Sequence, residues 1–187
     1  MEVFKEFDLS DAFLSTYLYE LEFDLNESNQ LSQIKFQSEE SNTDEYLKYF
    51  FKEYISKRKK LKNQLLSEVK FYYFNHETIF DYKDILECEI IDVLTPTELT
   101  NEIKQTFNEE KNGVYTNPDL LLIIKEKNKF VYKSIELKST KNNLIPGSSV
   151  QQVSPFEWVI FVKRGGKSIT ITTGLYIESI DNKLPFP

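Results

Sequence analysis

Cysteine and histidine are almost missing from this chain: Cys88 and His76 are the only ones among 187 residues. A single cysteine excludes an intramolecular disulfide, and so sparse a usage leads us to expect a cytoplasmic protein. One thiol and one imidazole cannot assemble a structural zinc site unaided, which excludes zinc-finger, zincin and HNH-type chemistry. Arginine is scarce as well, with Arg58 and Arg164 alone. No apolar run approaches the roughly 20 residues needed to span a bilayer. The opening MEVFKEFDLSDAF is acidic, with no basic segment followed by an apolar one, so no secretion signal is expected.

Aromatic residues are plentiful, with 15 Phe and 11 Tyr, and this weighs against disorder. Hydrophobic residues make up 40% of the chain and charged residues 28%, an ordinary globular balance at a length that fits one domain over 1–187. The net charge of -7 conceals an asymmetry. Residues 1–100 carry 11 Lys and Arg against 21 Asp and Glu, whereas residues 101–187 carry 12 against 9. A phosphate-facing surface is therefore expected in the C-terminal half. Tight unaided binding to DNA is not, since phosphate neutralisation supplies most non-specific affinity.

The first 94 residues read as mainly helical. DLSDAFLSTYLYELEFDL sets Phe13, Tyr17, Leu18 and Leu21 at helical spacing, with Asp8 or Ser10 as N-cap. A second helix follows Thr43, with Tyr46, Leu47, Phe50, Phe51 and Tyr54 as its apolar stripe, and can run on through SKRKKLKNQLLSEVKFYYF with or without a break. In TPTELTNEIKQTF, Thr95 caps, Pro96 takes the first helical position and Glu98 completes a capping box, leaving Leu99, Ile103 and Phe107 on a buried face. Gly113 then stops that helix. Beyond it DLLLII and FVYKSIELK form an antiparallel hairpin around KNK, and WVIFVKR and SITITTGLYI form two more strands around GGK. Ser148 or Ser149 caps a helical turn or two in the loop between the pairs. The pattern predicts an α/β core, residues 95–187, behind a helical N-terminal extension.

Within the first hairpin, Glu136 and Lys138 project to the same face, because strand side chains alternate. The tight turn brings Asp119, at the mouth of the preceding strand, close to Glu136. Two adjacent carboxylates repel, and a hard divalent cation between them removes the conflict. Magnesium commonly takes one or two protein carboxylates and completes its shell with water and substrate phosphate. The lysine beside them is placed to orient an attacking water and to offset charge that develops at phosphorus. A bare acidic-x-Lys triplet recurs at Glu68, Asp81, Glu102, Glu109 and Asp181, but only Glu136-Leu137-Lys138 follows a Pro-Asp opening the preceding strand.

Pro118-Asp119 followed by Glu136-Leu137-Lys138 resembles the PD-(D/E)XK nuclease superfamily, the fold of most type II restriction endonucleases. The resemblance spans residues 95–178 and implies a restriction-endonuclease-like mixed β-sheet core flanked by helices. It implies that Asp119 and Glu136 bind Mg2+ with help from the Leu137 carbonyl, and that Lys138 positions the water. It further implies a glutamine from the helix after that strand, Gln151 or Gln152, and a glutamate from the helix before the core strands, Glu102 or else Glu98. With no base-reading region rich in arginine, the chain looks like a cleavage module. It is similar to the small subunit of heterodimeric type IIS restriction endonucleases, in which a larger subunit recognises and nicks double-stranded DNA. Weak affinity for DNA suffices there, because the partner raises the local substrate concentration.

Other residues have blander readings. KRKKLK, residues 57–62, reads as a solvated helix face, His76 as structural, Cys88 as a buried thiol and Trp158 as core filling. Lys141 and Asn142, past the Glu136-Leu137-Lys138 strand, and Lys163, Arg164 and Lys167, at the last hairpin, are the candidates for contact with a phosphate backbone. The acidic, aromatic N-terminal half is the expected surface for a protein partner. A reading from another class, a non-catalytic interaction protein such as a DNA mimic or degenerate nuclease scaffold, draws on that same acidity.

Overall fold

Helix α1 (Leu9–Asn26) begins at Asp8, whose carboxylate accepts the Asp11 N–H while Asp11 reciprocates on the Asp8 N–H. That reciprocal cap satisfies two donors that a helix start otherwise leaves unpaired. The computed structural model describes residues 6–36, 45–62, 66–73, 75–110, 118–141, 156–165 and 168–179. Helix α2 (Glu45–Ser56) follows, then strands β1 (Glu68–Tyr73) and β2 (His76–Asp81), and a short helix α3 (Tyr82–Leu86). Strand β3 (Glu89–Leu94), helix α4 (Asn101–Glu110) and strands β4 (Leu120–Glu126), β5 (Lys129–Thr140), β6 (Trp158–Gly165) and β7 (Ser168–Leu175) complete the order.

Five strands make one mixed sheet in the order β3–β4–β5–β6–β7, with β5 parallel to β6 and every other neighbour antiparallel. One face carries Leu120, Leu122, Ile124, Ile135, Leu137, Ile160, Val162 and Ile171, which pack with Phe13, Leu14, Leu18 and Leu21 of α1 in the main core. Each such side chain contributes about 1.5–3 kcal/mol through burial. The other face holds a smaller cluster of Leu121, Leu99 and Phe107, backed by Ile103 of α4. Covered on both faces, β4 has the continuous apolar sequence expected of it.

The outer edge of β7 is closed by side chains rather than by another strand. Asn26 accepts the Ile171 N–H and donates to the Ile171 carbonyl, both at 2.9 Å. Glu22 accepts the Thr173 N–H at 2.7 Å and Glu178 the Leu175 N–H at 2.8 Å. Three alternate N–H groups that would otherwise invite a foreign strand are thereby occupied. Gly174 makes the last of these contacts possible, since a Cβ there would collide with the Glu178 carboxylate.

Sequence and structure agree on an α/β protein with helices and a mixed sheet, and the hairpin of β4 and β5 turns where expected, at Lys127 and Asn128. They differ in four places. The sheet does not start after residue 95: β3 (Glu89–Leu94), in the part expected to be helical, pairs antiparallel with β4 as an edge strand of the main sheet. α2 ends at Ser56, and the stretch through which it was expected to extend contains the antiparallel hairpin of β1 and β2. Residues 57–62 therefore lie on no helix face: Arg58 pairs with Asp24, Lys60 with Glu89 and Lys62 with Asp24. The segment after Thr95 keeps its capping box but breaks, with a 3-10 turn at Pro96–Glu98, an extended Leu99 and a fresh start in which Thr100 accepts the Ile103 N–H. Of the second helix's expected stripe, Leu47 and Phe51 are buried together with Ile55, while Tyr46 faces outward. Thr43, Gly113, Ser148 and Ser149 lie outside the described residues. Among the described residues no helix is long and apolar enough to cross a membrane.

Candidate metal and phosphate site

The register of β4 on β5 places Leu120 opposite Ile135, so the next step sets Asp119 opposite Glu136. Asp119 Oδ2 accepts the Leu137 N–H at 2.9 Å, which fixes the carboxylate across the mouth of the hairpin. One step further would bring Pro118 opposite Leu137. A proline has no N–H to give to the Leu137 carbonyl, which leaves the strand on the same side as the Leu137 N–H. Lys138 Nζ donates to Glu136 Oε1 at 2.6 Å. Asp119, Glu136 and Lys138 thus form one half-buried group, with side-chain exposures of 13%, 22% and 12%.

The electrostatics of the group are strained. Burial pushes the Glu136 carboxyl above its usual pKa, the nearby Asp119 adds to the rise, and Lys138 only partly counteracts it. Glu157, whose carboxylate accepts a hydrogen bond from the Ser134 hydroxyl, adds a further small push upward. A carboxylate whose ionisation is disfavoured beside a second carboxylate is a fit for a divalent cation. Among the described residues no three Asp, Glu, His or Cys side chains cluster as a cage, so such a cation would draw two protein carboxylates and complete its shell with water and phosphate oxygens.

Two further residues at the site were missed by sequence reasoning. Lys48 of α2 reaches Asp119 Oδ1 at 3.3 Å and Glu45 Oε1 at 3.2 Å, with only 9% of its side chain exposed. Lys48 lies between Leu47 and Phe51 on the inward face of α2, a buried charge that becomes visible only in the folded chain.

The other candidates lie elsewhere or outside view. Glu102 sits exposed in the first turn of α4, and its carbonyl accepts the Thr106 hydroxyl. Glu98 is committed to its capping box and to an ion pair with Lys52 of α2. Gln151, Gln152, Asn142 and Lys167 fall outside the described residues. Arg164 stacks its guanidinium over the Phe36 ring at 4.3 Å. Lys141 is exposed at the end of β5, and His76 is exposed at the start of β2. Trp158 is buried and donates from its indole to Asp11, and Cys88 is buried with its thiol pushed up to about 12 by burial and then by nearby carboxylates. No protein-family model, no curated protein and no solved structure matches the chain.

Proposed function

We propose that this chain is a magnesium-dependent DNA endonuclease subunit, cutting one strand of double-stranded DNA in complex with a larger, site-recognising and nicking subunit, in the manner of type IIS restriction endonucleases. On this reading the mixed sheet is a restriction-endonuclease-like core. The observation that carries it is the convergence of Asp119, Glu136 and Lys138 at the mouth of one hairpin. Support comes also from the raised pKa of Glu136.

Asp119 and Glu136 would hold the cation, with the Leu137 carbonyl available as a neutral oxygen ligand. A magnesium ion held there would supply neutralisation of phosphate charge and a more acidic water. Lys138 holds the attacking water in line with phosphorus. The water oxygen forms the new P–O bond and its proton passes to solvent, while one P–O ester bond breaks with its electrons on the leaving oxygen, which takes up a proton from solvent. Lys138 would also offset the negative charge that grows on the phosphoryl oxygens, favouring the transition state over the bound phosphate. The two-arginine composition and acidic N-terminal half support a division of labour in which the partner supplies base recognition and most of the affinity.

One observation favours the non-catalytic alternative: two lysines, Lys48 and Lys138, already face the two carboxylates. Incubating plasmid and Mg2+ with this chain, alone and with a candidate large subunit, tests the choice. Cutting of the second strand that requires this chain and disappears in Glu136→Gln supports the endonuclease. Nicking by the large subunit that never becomes double-strand cleavage supports the scaffold.

A further inference from the structure

The Lys48 ammonium lies between Glu45 and Asp119, on the one Asp119 oxygen that the Leu137 N–H does not use. From this placement we infer that Lys48 is the built-in counter-ion of the metal-free site, and that a divalent cation binds by displacing it from Asp119 onto Glu45. The inference rests on Asp119 and Glu136 being the metal pair. A magnesium ion sits about 2.1 Å from a carboxylate oxygen. An ammonium 3.3 Å from that same oxygen would then lie roughly 4–5 Å from the ion, where two positive centres repel strongly in a half-buried setting.

Lys48 has a second seat ready. Glu45 stands one helical turn earlier on α2 and already accepts from Nζ, so withdrawal by a small side-chain movement leaves the ammonium paired rather than buried and alone. The same geometry ties metal occupancy to the seating of α2. Without the ion, Lys48 fastens the first turns of α2 to the mouth of β4; with it, that link is released.

Calorimetric titration of the full chain with Mg2+, repeated with Mn2+ followed by spin resonance, tests the exchange. Lys48→Met should bind Mg2+ about tenfold more tightly than the natural sequence, and Lys48→Arg, which keeps the competing charge, should bind as weakly as the natural chain. Equal or weaker binding by a folded Lys48→Met overturns the inference, because it makes Lys48 a support for Asp119 instead of its competitor. Glu45→Gln gives an independent reading from a partly exposed position: it removes the second seat and should weaken Mg2+ binding, whereas unchanged affinity overturns the inference. If the natural chain binds Mg2+ through Asp119 yet Lys48→Met brings no gain, only the exchange is wrong. If neither protein binds Mg2+, the metal reading falls and the exchange falls with it.

Discussion

The carboxylate of Asp119 and the backbone amide of Leu137 are hydrogen-bonded at 2.9 Å, joining the mouth of β4 to the far end of β5. Asp119 is thus a structural clip as well as a candidate ligand. Asp119→Asn keeps an oxygen for that N–H, whereas Asp119→Ala leaves a half-buried donor unpaired, at a cost of about 1–3 kcal/mol. Urea unfolding should rank the natural chain above Asp119→Asn and Asp119→Asn above Asp119→Ala. Equal stability for the two variants would mean that the clip contributes nothing.

Glu136 is ionised at a cost to the fold. Its pKa is raised in the folded chain by burial and by Asp119, so the charged form is disfavoured there relative to the unfolded chain. That cost is present at neutral pH and disappears as pH falls through the folded-state value. Glu136→Gln should therefore raise the metal-free Tm at pH 7 while abolishing cleavage. Scanning calorimetry at pH 7 without divalent ions checks it, and a lowered Tm would contradict it.

A second charged group, beneath the N-terminus of α1, is structural. Lys133 reaches Asp8 and Asp11 at 3.0 Å each, and Asp11 accepts the Trp158 indole N–H. Burial works to raise the Asp8 pKa, but the Lys133 ammonium, the Ser10 hydroxyl and the Asp11 N–H outweigh it and lower the value from 3.8 to about 2. Its contribution to stability is therefore complete above about pH 4 and is lost as pH falls toward 2. Asp11→Ala removes a fully buried partner of Lys133 and should cost about 3–5 kcal/mol in urea unfolding at pH 7. A loss below 1 kcal/mol would show that Lys133 finds water or another partner.

Asn26 closes the β7 edge at Ile171 with both halves of its amide. Asn26→Ala should cost about 1–3 kcal/mol and expose a strand edge. Light scattering at rising protein concentration should show self-association absent from the natural chain. A monodisperse variant would mean that Glu22 and Glu178 guard the edge on their own.

The hairpin carrying Asp119 and Glu136 was readable because a two-residue turn and period-two alternation together fix which side chains meet. The Thr95–Glu98 capping box was equally local and equally readable. What escaped was non-local or ambiguous. Lys48 approaches Asp119 from 71 residues away in sequence, through the packing of one helix on the sheet, and no local pattern encodes that. The hairpin of β1 and β2 was masked by a run of aromatics compatible with either period. Its signal was the alternation of half-buried Val69 and Phe71 with Thr78 and Phe80, around a turn where Asn75 takes a positive φ of 63°. The break after Glu98 depends on Leu99 reaching the Phe107 and Leu121 cluster, again a matter of packing rather than of propensity.

The account depends on Asp119 and Glu136 sharing one hard cation. Isothermal titration of the intact chain with Mg2+, beside folded Asp119→Asn and Glu136→Gln, measures this directly. The account predicts saturable binding in the natural chain that is lost in both variants while their circular dichroism is preserved. An absence of binding in the natural chain, or an isotherm unchanged by either substitution, would contradict it.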